Sequence, residues 1–92
     1  MLLTLEAARE LRDGGIDACA ALNHALADTL THLPIEKHAE VKLSIGRAMA
    51  AILDETVHQA MSAFPELEPN DETWLAAVKA QLTKRTTLLA AS

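Results

Sequence analysis

A single cysteine, Cys19, leaves no intrachain disulfide to form and no zinc site built from several cysteines. Aromatic residues are nearly missing: one Trp, one Phe and no Tyr. Bases therefore have no stacking platform. Three Gly and three Pro are too few for a turn-rich β architecture, and Ala and Leu dominate the half of the chain that is hydrophobic. Such strong helix formers point to an all-α fold. No apolar run approaches the length of a membrane span. No basic block is present either. The net charge is −5 and the pI about 5.2, which repels phosphate backbones and anionic lipid, so neither nucleic acid nor a membrane is an expected partner. The opening Met-Leu-Leu-Thr-Leu-Glu has no basic n-region and only a short apolar run, so a cytoplasmic protein is expected. A phosphate-binding Gly-rich loop, a G-x-S-x-G elbow, a His-Glu-x-x-His pair and an EF-hand loop are all missing. An enzyme is not expected, and no catalytic or cofactor-binding residue is assigned.

What the chain does contain is helical periodicity. Val41, Ile45, Met49, Ile52, Leu53, Val57, Ala60, Met61 and Phe64 recur in steps that build one broad apolar stripe. Glu40, Ser44, Arg47, Ala51, Asp54, His58 and Ser62 form the opposite side. Pro34 suits a first helical turn and Pro65 disfavours helix at Phe64. One long helix over about 35–64, roughly 45 Å in length, is the expected spine.

Upstream, Thr4 can cap a helix with Glu6 in its first turn. Asp13-Gly14-Gly15 is a break signal, yet Ala8, Leu11, Gly15, Ala18, Leu22, Leu26, Leu30 and Leu33 hold one phase across it. Either two helices, about 4–13 and 16–33, or one kinked helix satisfies these facts. Asp17, His24, Asp28 and Thr31 are expected outside. The short connection at Pro34 makes its flanking helices antiparallel neighbours, with opposed positions summing to roughly 68. Gly46 then marks either a close crossing or a tolerated glycine. The proline-bounded acidic segment from Phe64 to Asn70 reads as a stiff surface connector. A last helix, about 70–90, is capped by Asn70, and its apolar side is Trp74, Leu75, Val78, Leu82 and Leu89.

The expected architecture is thus one helical domain over 1–92, an elongated antiparallel bundle of three to four helices with one long central helix. Leu2, Leu3 and Leu88 are more apolar surface than so small a core needs, and a homodimer is the simplest way to cover it.

Three constellations could carry chemistry. Glu55 and His58 form a Glu-x-x-His pair of the kind that carboxylate-bridged metal bundles use twice. They adjoin the polar stripe, however, and the antiparallel register sets Arg9 and Arg12 close by, where an ion pair with Asp54 or Glu55 is the simpler outcome. Glu55 and His58 are therefore candidates only, and no metal site is assigned. His24 with Asp28, and His32 with His38 across the Pro34 turn, read as exposed histidines rather than a zinc site. Cys19 lies on the apolar stripe, and His24 points elsewhere on the helix, so Cys19 reads as a small hydrophobe. Lys79, Lys84 and Arg85 read as a cationic helix end.

The expected function is a non-enzymatic protein–protein interaction module, of adaptor, regulator or chaperone type, acting as a homodimer and without a cofactor. A dimeric metal-binding bundle on Glu55 and His58 and a DNA-associated regulator using the C-terminal cations are the alternatives.

Overall fold

The computed structural model describes residues 3–91, with side chains up to Ala80 and at Leu82 and Thr83. Leu2 and the side chains of Lys84, Arg85, Leu88 and Leu89 lie outside the described residues. Four α-helices follow one another: α1 Leu5–Leu30, α2 His38–Glu55, α3 Val57–Ala63 and α4 Asp71–Ala91. Short 3₁₀ turns, Ile35–Lys37 and Pro65–Leu67, precede α2 and α4. No strand occurs among the described residues.

Thr4 starts α1, its hydroxyl accepting from the Ala7 N–H at 3.1 Å. The helix then runs through Gly14 and Gly15 for 26 residues. The expected segments 4–13 and 16–33 are therefore one helix, ending at Leu30 because Pro34 pulls the chain before it out of helical geometry. Gly15 explains the continuity. A Cβ there would overlap the Thr56 hydroxyl and lie 2.6 Å from Thr56 Cβ. The glycine lets α1 press onto the α2–α3 junction, and that packing offsets the poor helix propensity of two adjacent glycines.

The long segment 35–63 is helical, as the apolar stripe implies, but in pieces. Pro34 is extended (φ −65°, ψ 153°) and caps a 3₁₀ turn instead of opening the α-helix. Thr56, with φ −124° and ψ −79°, parts α2 from α3. Its hydroxyl donates to the Ile52 carbonyl, the acceptor that the helical backbone would otherwise use. Helix resumes with the Ala60 N–H bonded to the Thr56 carbonyl at 3.0 Å.

α1 packs against α2, α3 and α4 alike, so it shares the central position with the 35–63 segment. α2 and α3 run antiparallel to α1, and the Cys19 thiol reaches the Met49 carbonyl at 3.8 Å, as the expected register requires. Two small clusters make the core. Ala8, Ala60 and Leu67 close one end, and Ile16, Val57 and Ala77 fill the middle. Leu67 thus anchors the acidic connector, which is only partly a surface segment: Glu66 and Glu68 are exposed, but Leu67 is 4 % exposed. Pro65 ends α3 as expected, and Asn70 caps α4 through the Thr73 N–H at 2.8 Å. α4 passes over the middle of α1, buries Ala77 and leaves Leu75 65 % exposed. The same crossing covers Asp17, which is buried and not outward as its place in the pattern implies.

The molecule is elongated, 45 × 34 × 23 Å, with a radius of gyration of 15.1 Å. A compact chain of this length has about 12 Å.

Candidate interaction surface

Glu55 and His58 stand on two different helices. Glu55 is the last residue of α2 and His58 the second of α3. The Thr56 interruption falls between them. His58 Nδ1 pairs instead with Asp54 Oδ1 at 2.9 Å, both side chains being more than half exposed. Such a pair contributes little to stability. Arg12 does not reach Glu55 as expected. Its Nε meets Asp13 Oδ1 at 2.8 Å and its Nη1 donates to the Leu67 carbonyl at 3.3 Å. The bond to Leu67 ties the connector to α1, a structural role that the sequence pattern did not reveal. Among the described residues, no three His, Cys, Asp or Glu side chains converge on a point where an ion would fit.

The remaining candidates scatter. His24 and Asp28 face the α1–α4 crossing and, with Asp17, border an open groove of about 580 Å³. Its floor is Ala20, Ala21 and Ala25, and Val78 and Leu82 form the α4 wall. His32 is exposed, while His38 Nε2 lies 3.0 Å from the Leu33 carbonyl and closes the turn at Pro34. Cys19 is buried, and its desolvation pushes the thiol pKa up. Burial and a raised pKa both suit a small packing residue. Lys79 is exposed on α4.

The distinctive surface is on α2. That helix is 18 residues long and contains no buried residue. Val41, Ile45, Met49, Ile52 and Leu53 are half-buried towards the rest of the molecule. A second apolar line runs beside them through Ile35, Ala39, Leu43, Gly46 and Ala50, all exposed. Ile35 is 83 % and Leu43 57 % exposed. Spacings of four, three and four keep Ala39, Leu43, Gly46 and Ala50 on one side of the helix, and Ile35 stands in the 3₁₀ turn that leads into it. Such spacing was readable in the sequence, but the stronger Val41–Phe64 stripe masks it. Gly46 lies in the middle of this line. A Cβ on it would meet nothing within 4 Å, so Gly46 is not the close crossing inside the chain; Gly15 is.

The accessible surface is 6503 Å². A compact monomer of 9.9 kDa exposes about 5,200 Å². No described helix is long and apolar enough to cross a membrane. No family model matches the chain, and no curated protein or solved structure matches it either.

Proposed function

We propose that this chain is a non-enzymatic helical protein–protein interaction module that acts as a homodimer. The observation that carries the proposal is α2 and the turn before it: the helix has eighteen residues, none buried, and Leu43 on it and Ile35 in the turn face solvent. A helix of a finished globular domain normally hides one face. Large apolar side chains exposed along one helix side are a feature of interaction sites. The chemistry points the same way. Cys19 is buried with its pKa raised, and His58 pairs with Asp54. An adaptor, a small regulator or a chaperone-like protein all fit such a module, and cytoplasmic work suits a chain with one buried, reduced thiol.

A native mass spectrum of protein prepared without chelator tests the reading. A mass of twice 9.9 kDa with no added metal is expected. A metal-free monomer at high micromolar concentration would contradict the homodimer. A stoichiometric metal adduct would replace the interaction module by a metal-binding bundle.

A further inference from the structure

We infer that the groove between α1 and α4 receives a basic amphipathic helix from another protein, its apolar side on the alanine floor and a Lys or Arg at Asp28. This rests on the interaction module proposed above and uses a surface other than α2.

The groove has a definite form. Ala20, Ala21 and Ala25 make the floor and Val78 and Leu82 one wall of a space of about 580 Å³. From Asp17 to Asp28 its α1 side covers three turns, roughly 16 Å, which about eleven residues of a second helix would match. Leu82 is 54 % exposed, so an occupant has apolar surface to cover. Floor and wall are both helices, whose interior backbone groups are bonded within each helix. An extended peptide would therefore find no partners for its own N–H and C=O groups. A helix brings those bonds with it, and small floor residues let it lie close.

The charge of the lining selects the partner. Among the described residues no Lys or Arg lines the groove, whereas Asp17, His24 and Asp28 do. Between Asp13 and Leu33 the chain carries three Asp and no Lys or Arg. Asp28 stands in the last turn of α1, where the helix dipole disfavours a negative charge and no basic residue shares the turn. No ion pair meets its carboxylate among the described residues. A cation from outside offsets both. Asp17 is engaged within the chain, and the partner needs no bond from it. A second copy, itself at −5, meets this face with charge of the same sign, as do an anionic membrane and a nucleic acid.

Fluorescence anisotropy with the full chain tests the groove. The probe is a labelled amphipathic peptide of about 18 residues, long enough to form a helix, built of Leu, Ala and Lys. Its counterpart carries Glu in place of Lys. At physiological salt the Lys peptide should bind about tenfold tighter or more. Ala25→Trp fills the floor and Asp28→Lys reverses the charge, and each should weaken the Lys peptide about tenfold or more. Both positions are exposed, so neither change repacks the core. Asp54→Lys makes the same change of net charge on the exposed end of α2 and should weaken binding less than about twofold. No binding of the Lys peptide at hundreds of micromolar would overturn the groove. So would equal binding of the two peptides, equal effects of Asp28→Lys and Asp54→Lys, or no effect of Ala25→Trp. A native mass spectrum of the same samples reads the homodimer separately. A dimer that binds no Lys peptide would overturn the groove and leave the homodimer standing, and a monomer that shows the expected pattern would do the reverse.

Discussion

Ile16→Ala is expected to cost about 2–5 kcal/mol of unfolding free energy. Among the described residues, Ile16 is the one large side chain that is fully buried, at 0 % exposure. It joins Val57 of α3 to Ala77 of α4, with Leu53, Met61, Trp74 and Val78 packed around it. Three helices therefore meet on one side chain. Removing its outer carbons loses their transfer free energy and leaves a cavity that helices held from three sides close only partly. The described core is otherwise small: the remaining buried hydrophobic residues are Ala8, Cys19, Val57, Ala60, Leu67 and Ala77. Domains are stable by about 5–15 kcal/mol, so this loss would bring the chain close to unfolding. Urea titration followed by helical circular dichroism reads the effect directly. A loss below about 1 kcal/mol would mean that α3 and α4 do not meet on Ile16.

Gly14→Ala and Gly15→Ala should move stability in opposite directions. Both are chemically the same change in one helix, and both gain about 1 kcal/mol of helix propensity. At Gly14 a Cβ meets nothing within 4 Å, so Gly14→Ala should stabilise by about 0.5–1 kcal/mol. At Gly15 the same atom overlaps the hydroxyl of Thr56. Thr56 has little room to yield, since it is β-branched and its hydroxyl is bonded to Ile52. Overpacking costs about 1–3 kcal/mol, and after the propensity gain a net loss of up to about 2 kcal/mol remains for Gly15→Ala. Thermal or urea unfolding of the two variants side by side decides it. Equal shifts of the same sign would show that α1 does not press on the α2–α3 junction.

These glycines also show where the sequence was legible and where it was not. The caps at Thr4 and Asn70 and the stop at Pro65 are local events, governed by residues within a turn of one another, and each was readable. So was the apolar phase of α1, which crosses Gly14-Gly15 unbroken. The choice between one helix and two was not readable, because it turns on a contact with Thr56, 41 residues away from Gly15. The interruption at Thr56 is hidden for a related reason. The 3.6-residue pattern continues on both sides, and a threonine hydroxyl bonded to a carbonyl four residues back leaves no trace in periodicity. That hidden break falls between Glu55 and His58, and His58 pairs with Asp54 across it. In the pattern Gly46 read equally as a close crossing or a tolerated glycine, and Gly14-Gly15 as a break or a kink; the close contact is at Gly15. Leu67 and Asp17 were misjudged because a connector and an acid are usually solvated, and here Leu67 lies against Ala8 and Ala60 while α4 passes over Asp17.

Sedimentation equilibrium of Leu43→Glu beside the unaltered chain tests the central claim most directly. Leu43 is 57 % exposed in the single chain, so the substitution should leave the fold and its helical signal unchanged. At an apolar helix crossing it buries an unpaired carboxylate, which costs several kcal/mol or excludes the contact. The unaltered chain should sediment at twice 9.9 kDa at tens of micromolar. Leu43→Glu should sediment as a monomer there, with a dimer dissociation constant raised about 100-fold or more. A variant that stays as dimeric as the unaltered chain, or an unaltered chain that is itself monomeric, would contradict the assignment of α2 as the surface through which this protein pairs.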